Sequence, residues 1–126
     1  MDNQISFDDF KKLDIRIGTV TKAEVPPWSH WVTRLVVDFG TDTGTRTIFA
    51  GIMHFYPPDE LKGRQFPFVI NISPKKIGPE GDFSQGMLLA ASSKLDQALI
   101  VEGEKVSDKP VLLCLTEKVP DGTKVT

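Results

Sequence analysis

The chain is predicted to be all-β: a five-stranded Greek-key barrel with a short helix between strands 3 and 4. A short N-terminal helix precedes it, and C-terminal extension strands follow. Three observations predict this. Leu13, Ile15 and Ile17 alternate with Asp14, Arg16 and Gly18, the period of a half-buried strand. Nine prolines and ten glycines cut a chain of 126 residues into short segments. The strand-like runs are interrupted by only one helical pattern before the fourth strand, at Pro57 to Gly63.

The elements follow in order. Ser6-Phe7-Asp8-Asp9 starts a helix from Phe7 to Lys12: Ser6 caps it, the two aspartates suit the positive end of its dipole, and Phe7 and Phe10 share a face. Leu13 to Glu24 is the first strand. Val25-Pro26-Pro27-Trp28-Ser29-His30-Trp31 breaks it, because two prolines cannot continue a ladder. Val32 to Phe39 and Thr45 to Gly51 form a hairpin around Gly40-Thr41-Asp42-Thr43-Gly44. Pro57-Pro58-Asp59-Glu60-Leu61-Lys62-Gly63 has the polarity of a short helix, with proline and acids first and glycine last. Gln65 to Ile72 is the fourth strand. Gly86 to Ala91, Ala98 to Val101 and Val111 to Leu115 are further short strands, and Val119-Pro120-Asp121-Gly122-Thr123 is a turn. No repeat, linker or low-complexity run divides residues 1–126, so one domain is expected.

Strand, strand, strand, short helix, strand, strand is the order of an OB-fold barrel. Such barrels bind ligands on the strand 2–3 face, between the first loop and the loop after strand four. Here the first loop carries Trp28, His30 and Trp31, and the later loop carries Lys75 and Lys76. Aromatic faces can stack on unpaired bases, and ammonium groups can meet phosphates. The net charge of −2 argues mildly against a nonspecific nucleic-acid coat. Charge is unevenly placed, however: Lys62, Arg64, Lys75 and Lys76 fall between Leu61 and Pro79 with no acid among them. The alternative for these lysines is a solvated loop.

Five segments together resemble the tRNA-binding OB-fold domain found at the C-terminus of many methionyl-tRNA synthetases. They are Asp14-Ile15-Arg16-Ile17-Gly18, Val37-Asp38-Phe39-Gly40, Ala50-Gly51-Ile52, Asn71-Ile72-Ser73-Pro74-Lys75-Lys76 and Ser84-Gln85-Gly86-Met87-Leu88-Leu89-Ala90-Ala91. The same domain occurs in the synthetase-associated cytokine precursor and in free-standing homodimers, including the secretion-related chaperone CsaA. The resemblance spans roughly Ile5 to Val125. It implies a non-catalytic tRNA binder without cofactors, dimerised through its N-terminal helix and C-terminal segment. By position it places Asn71, Lys75, Lys76, Ser84, Gln85 and Met87 in the binding groove. One departure is plain: where that family commonly has a His-Pro-Asp-Ala-Asp-Lys-Leu-type run, this chain has Pro26-Pro27-Trp28-Ser29-His30-Trp31-Val32, and Trp31 replaces a usual lysine. That shifts weight toward binding an unfolded or precursor polypeptide, as the CsaA proteins do. A synthetase served in trans is a further possible partner.

Each candidate has a functional and a structural reading. Arg34 and Arg46 sit on the hairpin strands and either enter the groove or face outward as barrel charges. With Lys75 and Lys76 they make four cations, and a log–log salt slope of roughly −3 at about −0.7 per phosphate contact. Trp28 and Trp31 stack on bases, anchor a peptide or cover the barrel end. Asn71 and Ser84 are ligands, or they satisfy loop backbone. Met87 is core or groove. Asp14 and Arg16, two apart on one strand, read as a structural ion pair.

Catalysis finds little support. His30 and His54 are too few for a metal site, Ser84 lies in no Gly-x-Ser-x-Gly elbow, and the Gly40 turn lacks a phosphate-loop lysine. Cys114, the sole cysteine, sits within Val111-Leu112-Leu113-Cys114-Leu115 and reads as a buried thiol. One cysteine suits a reducing compartment. Met1-Asp2-Asn3-Gln4 shows no basic or apolar leader, and no run is long enough to span a membrane, so a cytoplasmic location is expected.

Overall fold

Alternation along β1 (Ile15–Glu24) organises the barrel. Ile15, Ile17 and Val20 are buried, and a bulge between Val20 and Lys22 lets the strand curl far enough to serve two neighbours. The computed structural model describes residues 3–126; Met1 and Asp2, part of the stretch read for a leader, lie outside them. The C-terminal half of β1 pairs antiparallel with β2 (Thr33–Asp38), which pairs with β3 (Thr45–Ala50). Its N-terminal half pairs with β4 (Gln65–Val69). Two short strands, β5 (Lys75–Lys76) and β6 (Phe83–Ser84), make a separate ribbon after β4. Then β7 (Met87–Leu88) pairs with β4, which gives the strand path β3-β2-β1-β4-β7. Gln85 brings the ends together: its N–H donates to the Thr47 carbonyl at 2.8 Å, and its Oε1 accepts from the Thr47 N–H at 2.9 Å. The five-stranded OB-type path agrees with the sequence reading.

The core fills the barrel with Val20, Leu35, Val37, Phe39, Ile48, Leu61, Phe66 and Phe68. Phe39 meets Phe68 edge to face, with ring centroids 5.4 Å apart. Leu61, delivered by the 3-10 turn Pro58–Glu60, plugs one end. The Gly40–Gly44 turn contains a single helical turn, α2 (Gly40–Thr43).

Helix α1 (Phe7–Lys11) is capped as read, with the Ser6 hydroxyl accepting the Asp9 N–H. The Lys12 ammonium and then the Ser6 hydroxyl lower the Asp9 pKa. A lowered carboxylate stabilises the fold above its unfolded pKa, and that contribution fades as pH falls through the folded value.

Three expectations need correction. β4 ends at Val69, not Ile72: the Ile70 N–H still donates to the Asp14 carbonyl, but the Asp14 N–H goes to the Asn71 side chain and the Ile70 carbonyl to Arg46, which ends the ladder. The short strands expected at Ala98 to Val101 and Val111 to Leu115 belong to a long hairpin, β8 (Ala90–Val101) with β9 (Glu104–Leu112). Its two-residue loop puts Glu102 at φ 51° and Gly103 at φ 79°, the left-handed pair that a tight hairpin needs. Most of this arm is exposed on both faces. Cys114 lies beyond β9 and is exposed, with the Arg64 guanidinium 3.0 Å from its Sγ.

The C-terminal segment closes on β1. The Gly122 N–H donates to the Ile17 carbonyl at 2.7 Å, the Ile17 N–H donates to Thr123, and β10 (Lys124–Val125) pairs with Ile15 and Arg16. The Gln65 side chain donates to the Val119 carbonyl and accepts its N–H. Gly122 has φ 89°, and a Cβ there would strike the Phe39 carbonyl. Gly122→Ala is expected to cost about 1–2 kcal/mol through backbone strain, read as a lower urea midpoint at unchanged m.

Candidate nucleic-acid interface

β2 and β3 place Arg34, Thr47 and Phe49 on one outward face, and the loop after β4 rises beside it with Pro74, Asp82, Phe83 and Gln85. Between them lies an open groove of about 700 Å³. Phe49 is its floor. Trp28 packs against Phe49 with ring centroids 5.9 Å apart and lies over Gly78, where a Cβ would meet the indole at 2.5 Å. The first loop and the lysine-bearing loop therefore touch through Trp28.

The lysine doublet is split by its ribbon. Lys75 pairs with Ser84, and Lys76 pairs with Phe83. Cross-strand partners share a face. Phe83 is 46% exposed and lines the groove, so Lys76 stands on the groove side. Lys75 shares the face of Ser84, which is buried and whose hydroxyl accepts the Phe49 N–H at 3.0 Å and donates to the Gly86 carbonyl. Among the described residues, no carboxylate lies within 4.0 Å of either lysine.

Both arginines are engaged within the chain. Arg34 binds Glu24 at 3.2 Å and Asp82 at 2.9 Å, with its guanidinium 5.3 Å from the Phe49 centroid. Arg46 donates to the Ile70 carbonyl at 2.6 Å and the Gln85 carbonyl at 3.3 Å, which leaves its charge without a carboxylate partner among the described residues.

Asn71 and Trp31 stand apart from the groove lining. The Asn71 amide accepts the Asp14 N–H at 2.9 Å and donates to the Lys12 carbonyl at 2.6 Å, which fastens the end of α1 to the loop after β4. Asn71→Ala is expected to lower stability by about 1 kcal/mol, measured by thermal melting. Trp31, 37% exposed, lies against Gly51 and packs on His54 and Phe55. It opens toward the tip of the β8–β9 hairpin, in a cleft of about 260 Å³ with Val101 and Val106, beside a His30–Glu102 contact of 3.0 Å. Met87 is exposed on β7 beside Val69. Asp14 and Arg16 form the ion pair read from their spacing, at 2.6 Å, and this hydrogen bond raises the Arg16 pKa.

Phe49, Phe83 and Asp82 were not singled out in the sequence. Phe49 is a buried strand residue. Phe83 and Asp82 lie between the lysine doublet and the Ser84-Gln85-Gly86 run, and an aromatic next to that run is the available signal.

Comparisons with known proteins show the family and the fold. A family model described as a putative tRNA binding domain matches residues 15–124. The methionine-tRNA ligase of Thermotoga maritima is 46% identical over 103 residues, covering 81% of this chain and 16% of that enzyme. The Bacteroides fragilis ligase is 40% identical over 103 residues, covering 81% of this chain and 15% of the enzyme. The chain thus spans about a sixth of these relatives. A methionyl-tRNA synthetase related protein from Pyrococcus horikoshii superposes with a TM-score of 0.78 at 35% identity, covering 98% of this chain and 99% of that one. The chaperone CsaA of Bacillus anthracis gives 0.75 at 34% identity, covering 98% and 99%.

Proposed function

This chain belongs to the putative tRNA-binding domain family, and from that membership we propose that it binds tRNA on the Phe49–Phe83 groove as a non-catalytic, cytoplasmic homodimer. The observation that carries the reading is the pairing of an aromatic floor with unpaired cations. Phe83 and Trp28 offer π-faces to unstacked bases above the buried Phe49 floor, and Lys76, Lys75 and Arg46 offer charge to the backbone. Gln85 and Ser84 act mainly by shaping the groove walls through the bonds described above, and Asn71 by fastening the start of the lysine loop to α1. Met87, exposed on β7, offers an apolar contact outside the groove lining. Arg34 contributes only once its carboxylates yield.

A homodimer is supported by unpartnered apolar surface at the chain's two ends. Phe7 is 69% exposed beside Leu13 and Val125, and Ile100 on the hairpin arm is 70% exposed. Sedimentation equilibrium is expected to give twice the chain mass of 14.0 kDa, and Phe7→Glu is expected to yield monomer. A synthetase acting in trans would be recovered with the protein from cells.

A second reading has its own support: the likeness to the chaperone CsaA and the apolar cleft at Trp31. There an unfolded or precursor polypeptide would occupy apolar surface and respond weakly to salt. Competition between tRNA and a denatured protein separates the two. Displacement of tRNA places both ligands on one surface, and independent binding assigns the polypeptide to the Trp31 cleft.

A further inference from the structure

Arg34 is the one groove cation that the fold has already neutralised. Its guanidinium lies over Phe49, and Asp82 holds Nη2 at 2.9 Å. The contact is sheltered, with side-chain exposures of 25% for Arg34 and 18% for Asp82. Glu24 takes Nη1 from the strand side. The loop is folded around Asp82: its second oxygen accepts the Glu80 N–H, and its carbonyl accepts the N–H groups of Ile77 and Gly78. A guanidinium presents the same planar fork to carboxylate and phosphate, so one displaces the other at a single position.

We propose that Asp82 is an internal competitor, a residue whose carboxylate occupies Arg34 in place of a ligand phosphate. The inference rests on the tRNA reading and deepens it. A ligand phosphate gains little by displacing Asp82, because one anion merely replaces another. Asp82 thus lowers affinity for every polyanion that reaches Arg34.

The test measures binding of unfractionated tRNA and of inorganic polyphosphate to the full chain and to Asp82→Asn, which keeps an oxygen acceptor for the loop and removes the charge. Asp82→Asn is expected to bind both polyphosphate and tRNA roughly three- to tenfold more tightly. The magnitude of its tRNA salt slope should rise by about 0.7, one added phosphate contact. Adding Arg34→Gln to Asp82→Asn should erase the gain. Unchanged or weaker binding by folded Asp82→Asn overturns the inference while leaving the tRNA reading standing. A gain that survives Arg34→Gln also overturns it, since the effect would then be bulk charge. If the unaltered chain and Asp82→Asn both ignore tRNA, the tRNA reading itself fails and takes the inference with it. Should Asp82→Asn not fold, Glu24→Gln leaves the loop intact and should give a smaller rise of the same kind; no rise there overturns the inference.

Discussion

Replacing both Lys75 and Lys76 with alanine is expected to weaken tRNA binding by about 1–3 kcal/mol, with the melting temperature nearly unchanged. Both side chains are exposed, and neither has a carboxylate partner among the described residues. The short β5–β6 ribbon is held by backbone pairing, which alanine keeps. The single changes should differ. Lys76 shares the groove-side face with Phe83, so Lys76→Ala should account for the larger part of the loss and Lys75→Ala for the smaller part. Filter binding at fixed salt distinguishes them. Equal losses would mean that both ammonium groups reach the ligand by bending around the ribbon.

Phe68→Ala is expected to cost about 3–5 kcal/mol of stability. Phe68 is fully buried on β4, meets Phe39 edge to face, and is opposite Arg16 on β1 and Leu88 on β7. Removing its ring opens a void at the strand that joins the two halves of the sheet. That strand also sets the start of the lysine loop, so the damage should extend to the groove. Urea denaturation gives the stability loss, and tRNA binding by the variant should fall with the folded fraction. A loss below about 1 kcal/mol would mean that the barrel collapses onto the void far better than cores usually do.

The barrel was legible because its strands carry one-sided burial. β1 alternates, β2 buries every second residue, and the Pro57–Gly63 turn is punctuated as a helix between strands should be. The length and pairing of the β8–β9 arm are not legible, although its ends read as short strands, because it has no buried face to imprint a period: Ser92, Ser93, Lys94 and Asp96 face solvent. The clear signal for the pairing is Glu102-Gly103, a two-residue turn. Cys114 was misjudged for a related reason: an apolar run need not be a core strand when its last residues pass the strand's end. In the candidate site, sequence located the two loops but not the duties of their side chains. Whether Asn71 fastens α1 or Arg34 meets Asp82 depends on partners 57 and 48 residues away, which no local pattern encodes.

The central claim is that exposed cations beside an aromatic floor bind an RNA backbone. The most direct measurement is titration of tRNA against the chain's tryptophan fluorescence across a series of salt concentrations. Four free cations would set a log–log slope of roughly −3. With Arg34 held by Glu24 and Asp82, three remain, and the expected slope is roughly −2, at about −0.7 per contact. The fluorescence change should vanish in Trp28→Phe and survive in Trp31→Phe. Saturable binding with that slope and that tryptophan dependence agrees with the account; a flat salt response, or a signal arising from Trp31 alone, contradicts it.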